Sequence, residues 1–137
     1  MTVKNKTCEE RIDKVLKERL EDLRKLWKRY LNGVDEDPEL GSIYDYGLCF
    51  DYVPPEKEEE EGYFRYQLSW GGPSDEFRFY CGPDFQPYRI EYWFLDWFDG
   101  ANRVLHGRDF DLLDDIFQSL FVETGTAQAE LEEALNY

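Results

Sequence analysis

The chain has 137 residues, of which 34% are charged and 18% are aromatic, and its formal net charge at pH 7 is −15. This length predicts one domain, 1–137, and the aromatic content excludes a disordered acidic chain, because such chains are poor in aromatic residues. The charge is divided unevenly, since residues 1–33 carry a net +4 and residues 34–137 a net −19. This division excludes nucleic acid as a direct ligand for most of the surface and favours a basic protein partner.

The sequence also bears on the compartment. It contains no apolar run near the roughly 18 residues that a membrane span needs, and its first 14 residues, MTVKNKTCEERIDK, lack the apolar segment of a secretory signal. The three cysteines, Cys8, Cys49 and Cys81, cannot all pair within one chain. We therefore expect a cytoplasmic protein with reduced thiols and no membrane contact, in which Cys49 and Cys81 pack as small apolar side chains in strands.

The first predicted element is a helix over residues 7–32. Thr7 and Glu10 have the spacing of a capping box, and Gly33 is suited to the position after the helix. Apolar residues recur at steps of three and four and give the helix one apolar face: Ile12, Val15, Leu16, Leu20, Leu23, Trp27, Tyr30 and Leu31. Because this face is too apolar to stay in water, we expect it to pack on the acidic body or on a second copy, as a homodimer. Direct contact with a partner is the third alternative.

Four strands are predicted next, near 44–53, 62–70, 75–81 and 87–95, joined by short turns into an antiparallel meander over 44–95. The alternation of apolar and polar residues predicts one buried face, made of Leu48, Phe50, Tyr52, Phe64, Tyr66, Leu68, Phe77 and Phe79. Residues 93–101 fit either a strand or a helix, and Asp99-Gly100 indicates a turn after them.

The C-terminal part, 109–135, is predicted to form one or two helices. Asp109 or Asp111 would cap the first, and Thr126 would cap a shorter one near 126–135 after a break at Thr124-Gly125. The predicted fold class is therefore α+β: an N-terminal helix, a four-stranded antiparallel meander sheet, and one or two C-terminal helices on its apolar face.

No sequence motif indicates a particular reaction. His106 is the only histidine, and Cys49, Cys81 and His106 lack the spacing of a zinc site, so no metal, cofactor or catalytic residue is predicted. The cluster of Asp109, Asp111, Asp114 and Asp115 has helical spacing, which describes a cap and a solvated helix face more often than a metal cage. A carboxylate pair for acid–base catalysis stays open as a minor alternative.

Aromatic residues in the strands could stack on bases, as in proteins that bind single strands: Tyr63, Tyr66, Trp70, Tyr92, Trp93 and Trp97. Such a groove needs cations along the path of the backbone, and this region offers Arg65, Arg78 and Arg89 among many acids. Packing in the core or in an interface is the better interpretation.

The acids themselves are the remaining candidate for function. Carboxylates two residues apart on a strand are separated by about 6.6 Å, and those four apart on a helix by about 6 Å, which is comparable with the phosphates of one DNA strand. They are spread over the body, including 109–115 and 130–133. Two loop patches are the predicted partner-binding residues: Asp35, Glu36, Asp37 and Glu39 in one, and Glu58, Glu59, Glu60 and Glu61 in the other.

With its small size, aromatic content and acidic runs such as Glu58-Glu59-Glu60-Glu61, the chain resembles the acidic DNA-mimic inhibitors of phages and plasmids, the anti-CRISPR and antirestriction proteins. The resemblance implies a non-enzymatic inhibitor that binds a basic nucleic-acid-binding protein or nuclease complex and blocks its nucleic-acid site. These proteins share no motif, so no residue role is carried over. The alternatives are an immunity protein or antitoxin that neutralises a basic nuclease toxin, and a small enzyme with a carboxylate-based site.

Overall fold

The computed structural model describes residues 6–34 and 36–136. The first helix, α1, spans Cys8–Leu31, close to the predicted 7–32. Thr7 and Glu10 form the predicted capping box at its start. At its end the chain turns at Gly33, whose φ is +75°. The Gly33 N–H donates to the Tyr30 carbonyl (3.1 Å) and the Val34 N–H to the Arg29 carbonyl (2.9 Å), which satisfies two of the last helical carbonyls.

The sheet has five antiparallel strands in sequence order: β1 (Cys49–Val53), β2 (Tyr63–Ser69), β3 (Ser74–Cys81), β4 (Pro87–Asp96) and β5 (Asp99–Val104). The α+β class and the meander are confirmed, but the prediction of four strands was wrong. Residues 93–101, which fitted strand or helix, complete β4 and begin β5. The turn between these strands is Trp97-Phe98. The turn indicated by Asp99-Gly100 does not form, because Asp99 already pairs with Asp96 in the sheet.

One face of the sheet is apolar and the helices pack on it. Register pairs bring large rings side by side, such as Phe64 with Phe79 and Phe77 with Tyr92. Phe77, Phe79 and Tyr92 are each 0% exposed, and burying a large apolar side chain is worth about 1.5–3 kcal/mol. The predicted buried face is therefore confirmed for β2 and β3.

The start of the predicted first strand was wrong. Ile43–Tyr46 form a short helix, α2, and β1 begins only at Cys49. Leu48, predicted to be buried, is 61% exposed. Gly47 lies between the two elements, where a Cβ would stand 2.0 Å from the Tyr66 ring. The chain thus passes too close to Tyr66 for any side chain at this position, and local contact overrides the alternation.

The C-terminal part forms α3 (Gly107–Phe117), one π-helical segment (Gln118–Val122) and α4 (Thr126–Leu135). The predicted caps were wrong. His106 precedes α3, so Asp109 lies inside its first turn and Asp111 further along. Gly125, at φ +83°, precedes α4, so Thr126 is its first residue rather than its cap. The break at Thr124-Gly125 is confirmed.

Helix α1 packs on the body of its own chain. Its residues Cys8, Ile12, Leu20, Leu23 and Leu26 belong to the same buried cluster as the sheet and α3. Most of the apolar face that a homodimer would use is thus packed on the body, and the homodimer through this helix stays a prediction. The thiols also differ from the prediction, because Cys49 is exposed and Cys81 only half-buried, whereas Cys8 is buried. Within 6–34 and 36–136, no helix is both long enough and apolar enough to cross a membrane.

Candidate functional site

The cations of α1 are matched by acids of the body. Arg11 pairs with Asp96 at 2.7 Å and Arg19 with Asp75 at 2.7 Å, and Arg24 pairs with Asp109. The match also runs the other way, because Arg103 of β5 pairs with Glu9 at 2.7 Å and with Asp13 at 2.9 Å on the helix. Ion pairs in both directions therefore link the basic helix to the body, whereas Glu18 and Glu21 on its exposed side have no ion-pair partner among the described residues.

The first predicted patch is divided by burial. Asp35 lies outside the described residues, while Glu36 and Glu39 are exposed. Asp37 is 3% exposed and pairs with Lys25 (3.1 Å) and Arg29 (3.0 Å) of α1. The Glu39 N–H, followed by the Leu40 N–H and by Lys25, lowers the pKa of Asp37 to about 2 against the opposing effect of burial.

Asp37 is engaged within the chain, and its place in a partner-binding patch stays a prediction. Its carboxylate holds the loop after α1 onto the helix, because it accepts hydrogen bonds from two backbone N–H groups, of Glu39 at 2.9 Å and Leu40 at 3.1 Å.

The second predicted patch lies on the loop between β1 and β2. Glu58, Glu59 and Glu60 are exposed. Glu61 folds back onto β4, where it pairs with Arg89 at 2.5 Å and accepts a hydrogen bond from the Tyr88 hydroxyl. These two donors, Tyr88 first and Arg89 second, lower the pKa of Glu61. Three of the four predicted acids thus project from the loop, and the fourth anchors it.

The largest excess of acid lies elsewhere, on α3, α4 and the turn between them, which we call the carboxylate layer. Residues 109–136 contain no Lys or Arg and eight carboxylates: Asp109, Asp111, Asp114, Asp115, Glu123, Glu130, Glu132 and Glu133. Among the described residues, only Asp109 of this set has an ion-pair partner, Arg24 of α1. Most of the others are exposed.

The pKa values of two of these carboxylates are raised, first by partial burial and then by the charges of neighbouring acids. The pKa of Asp115 is raised by partial burial and then by the charges of Asp114 and Asp111. The pKa of Glu130 is raised by partial burial and then by Glu133 and by Asp51 of β1. A surface that holds like charges at this density stores electrostatic energy that a cationic partner would release.

The sequence analysis counted residues 109–115 and 130–133 among the candidate acids but did not place them in a predicted partner-binding patch, although a signal was available. The last cation of the chain is Arg108, and none follows it. The aspartates at 109–115 were interpreted as a cap and a solvated face by their helical spacing alone. Spacing could not show which acids pair with the cations of α1. These acids are Asp37, Asp75, Asp96 and Asp109, and only Asp109 belongs to the layer.

The opposite face of the sheet carries no packed helix in the part of the chain that the structure describes, and it is a second candidate. Its centre is Arg78, which lies over the rings of Trp93 (4.0 Å) and Tyr63 (4.7 Å) and pairs with Glu76 at 2.8 Å. Arg65 pairs with Asp51 at 2.6 Å and Arg89 with Glu61 and Glu91.

Each arginine of this face is thus held by a carboxylate of the same chain, and cations that are already paired offer little to a phosphate backbone. Of the aromatic residues considered for base stacking, Tyr66 and Tyr92 are core residues at 4% and 0% exposure. Both observations favour the interpretation of core and surface packing over a groove for single strands.

The most buried polar cluster surrounds Asp75, which is 2% exposed. It accepts hydrogen bonds from Arg19 (2.7 and 2.9 Å), from the Tyr92 hydroxyl (2.6 Å) and from the Ser69 hydroxyl. These donors satisfy both carboxylate oxygens, and a substrate could not reach them. The cluster therefore fastens α1 to the sheet rather than forming a site for acid–base chemistry.

Across 6–34 and 36–136, no three side chains of His, Cys, Asp or Glu form a group that could hold a metal ion. The three side chains weighed as zinc ligands lie apart, since Cys49 begins β1, Cys81 ends β3 and His106 precedes α3. Comparison with protein-family models, with curated proteins and with solved structures finds no match to this chain.

Proposed function

We propose that this protein is a non-enzymatic acidic inhibitor that binds a basic nucleic-acid-binding protein and occupies its nucleic-acid site. The carboxylate layer makes the main contact, and the exposed acids Glu36, Glu39, Glu58, Glu59 and Glu60 extend it. The observation that carries the proposal is the run of eight carboxylates without a cation in residues 109–136, of which the described ion pairs engage Asp109 alone.

The spacing within the layer supports this function. Asp111 and Asp115 are four residues apart on α3, which separates them by about 6 Å along the helix axis. This is roughly the rise of two nucleotides at about 3.4 Å each. A protein surface that binds a phosphate backbone would therefore meet negative charges at a spacing close to that of the phosphates.

The mechanism needs charge and rigidity together. Long-range attraction between an acidic surface and a basic cleft raises the association rate, and it weakens as salt shortens the screening length to about 8 Å. The layer is rigid because Phe117 stacks on Phe79 with ring centroids 4.5 Å apart, and Phe121 on Phe50 at 3.9 Å. Its carboxylates are thus presented on a fixed scaffold, so that binding orders little of the chain.

The test begins with capture of binding proteins on the immobilised chain from nuclease-treated extracts of its own organism and of its host, followed by mass spectrometry. The captured protein is then purified, and its binding to labelled duplex DNA or RNA is measured with increasing amounts of this chain. We expect competition, with displacement that weakens as salt is raised.

Three double charge reversals with the same change in net charge separate the surfaces. Asp111→Lys/Asp115→Lys tests the carboxylate layer, Glu58→Lys/Glu59→Lys tests the loop, and Glu18→Lys/Glu21→Lys on the exposed side of α1 is the matched control. We expect the first to lose competition, the second to slow association, and the third to change little. Equal losses of competition in all three variants would mean that net charge alone produces the effect. A partner whose nucleic-acid binding is unchanged by this chain would contradict the proposal.

The identity of the captured protein also distinguishes the runner-up function. The same surface would suit an immunity protein, because a nuclease toxin presents the same kind of basic cleft. Capture of a nuclease whose activity this chain blocks in a stable one-to-one complex would support that function, whereas capture of a host defence nuclease complex would support the inhibitor.

A further inference from the structure

One end of the sheet exposes three large aromatic rings on two neighbouring turns, and we call it the aromatic end. Trp70 begins the turn between β2 and β3 and is 74% exposed. Trp97 and Phe98 form the whole turn between β4 and β5 and are 89% and 105% exposed. The turns are adjacent, since a Cβ at Gly72 would lie 3.9 Å from the Trp97 indole nitrogen. Exposed apolar surface of this extent usually marks an interaction site.

The backbone at this end supports a functional role. Trp97 has φ +56°, in the left-handed region that bulky residues rarely adopt. Two-residue hairpin turns usually place Gly, Asn or Asp where φ is positive. Here the chain places a tryptophan instead and gains no burial for it. Strained positions of this kind concentrate where a surface binds something.

The aromatic end has few free charged side chains, although the chain carries a net charge of −15. The segment Trp70–Ser74 has no ionisable side chain. Of the neighbouring acids, Asp96 pairs with Arg11 at 2.7 Å, and Asp99 accepts a hydrogen bond from the Cys8 N–H at 2.7 Å. Two copies of this acidic chain could therefore approach each other here with less repulsion than through the carboxylate layer.

A pocket about the size of an aromatic ring lies at the same end of the sheet. It is a cavity of about 150 Å³ beside the start of β1, lined by Ile43, Leu48, Phe50, Tyr66, Leu120 and Phe121 among others. The Leu48 N–H bonds to the Gln67 carbonyl at 2.7 Å, which places the cavity next to the end of β2 and hence to Trp70. An apolar cavity of about this volume accepts benzene, so a phenylalanine ring fits it.

We propose that the aromatic end is the interface of a two-fold homodimer, in which Phe98 of each copy enters the cavity of the other. The cavity lies at β1 and Phe98 between β4 and β5, about 17 Å apart at the usual strand spacing. A two-fold axis near the start of β3 exchanges the two positions, so that both contacts form at once. Trp70 and Trp97 lie between them and pack across the axis.

The available area fits this partner. At their observed exposures, the three rings present roughly 400–700 Å², taking about 150–250 Å² for each aromatic side chain. A stable interface buries about 800 Å² on each partner, and the rim of the cavity with Leu48, which is 61% exposed, supplies the remainder. The proposal goes beyond the inhibitor function and does not depend on it, because none of the eight carboxylates of the carboxylate layer lines the cavity.

The test is analytical ultracentrifugation of the full chain over a range of concentrations, compared with single variants at exposed positions. We expect a dimer for the unaltered chain. Phe98→Ala and Leu48→Asp should each raise the dimer dissociation constant by at least about thirtyfold, the size of a central hot spot. Leu135→Asp, on α4 and 51% exposed, is the matched control and should leave it unchanged. Circular dichroism and melting of each variant confirm that it is folded.

Mixing gives the sharper result. A mixture of the Phe98→Ala chain and the Leu48→Asp chain retains one intact ring-in-cavity contact, so it should associate more tightly than either variant alone. A chain that stays monomeric at every concentration overturns the proposal and leaves the three rings to a different partner. So does an equal loss of association in Leu135→Asp, or a mixture no tighter than its two components.

Discussion

The two helical regions that cover the sheet treat their carboxylates in opposite ways. On the α1 side, cations of the helix pair with acids brought from elsewhere in the chain, among them Asp37, Asp75 and Asp96. In the carboxylate layer, residues 109–136 supply eight acids and no cation. Both regions are anchored to the same apolar face of the sheet. The described ion pairs thus engage several acids on the α1 side and, in the carboxylate layer, Asp109 alone.

Net charge alone therefore does not locate a binding surface in an acidic protein. Acids that are paired within the chain stabilise the fold and attract a partner weakly. Acids that lack an internal cation destabilise the folded state by mutual repulsion, and are retained most readily where a partner compensates them. The following predictions test the two regions separately.

The largest expected effect comes from the aromatic anchor of the carboxylate layer. Phe117 is 0% exposed and stacks on Phe79, with Phe64 at 5.6 Å. Replacing Phe117 with Ala should lower the free energy of unfolding by about 3–5 kcal/mol, because the change opens a cavity between helix and sheet. Chemical denaturation measures it. A loss below about 1 kcal/mol, typical of a surface position, would mean that other contacts hold this layer.

The α1 side depends on ion pairs instead. Arg19→Ala leaves Asp75 charged at 2% exposure with only the Tyr92 and Ser69 hydroxyls as donors. Removing one partner of a fully buried pair costs about 3–5 kcal/mol, and since the Arg19 side chain is 23% exposed we expect about 2–3 kcal/mol.

Arg108→Ala is the control for this loss. Arg108 is exposed, and the described residues give it no ion-pair partner, so its removal should stay within about 0.5 kcal/mol. Comparable losses at Arg19 and Arg108 would contradict the view that α1 is held by its buried pair.

The pH-dependent effects have opposite signs in the two regions. The pKa of Asp37 is held at about 2, below its ordinary value of 3.8, so its contribution to stability is complete above pH 3.8 and is lost as the pH falls through about 2. The pKa of Asp115 is raised, so this group destabilises the fold at neutral pH, and the penalty disappears as acid protonates it in both states.

At pH 7 we therefore expect Asp37→Asn to lower stability and Asp115→Asn to raise it by about 0.2–0.5 kcal/mol, the size of a like-charge pair on a helix. The gain at Asp115 should vanish below about pH 4 and in high salt. Urea denaturation across a pH series measures both. The same sign at the two positions would contradict the comparison.

Much of the fold could be predicted from the sequence because local signals agreed with tertiary packing. The capping box at Thr7 predicts the start of α1, and the two-residue alternation predicts β2 and β3. The prediction failed where a distant contact decides. Gly47 turns because Tyr66 lies against it, and β5 forms because it pairs with β4, although its sequence Asp99–Val104 has little strand character of its own.

The candidate binding surfaces could be predicted only in part. Exposed loop acids such as Glu58 and Glu59 were identified from composition, since charge runs favour solvent. The burial of Asp37 was not, because its partners Lys25 and Arg29 lie on a helix that packs on it only in the folded chain. The carboxylate layer was not placed in a predicted patch for the same reason, because which acids stay unpaired depends on where α1 docks.

The most direct test of this account maps where a cation binds the folded chain, and it needs no knowledge of the natural partner. A short oligoarginine peptide is titrated into the isotope-labelled protein, and backbone amide chemical shifts are followed at low and high salt. We expect the largest shifts in α3, α4 and the loop near Glu58 and Glu59, with small shifts along α1, and their loss in high salt. Shifts spread evenly over the surface, or largest on α1, would contradict the claim that the carboxylate layer is the free acidic surface.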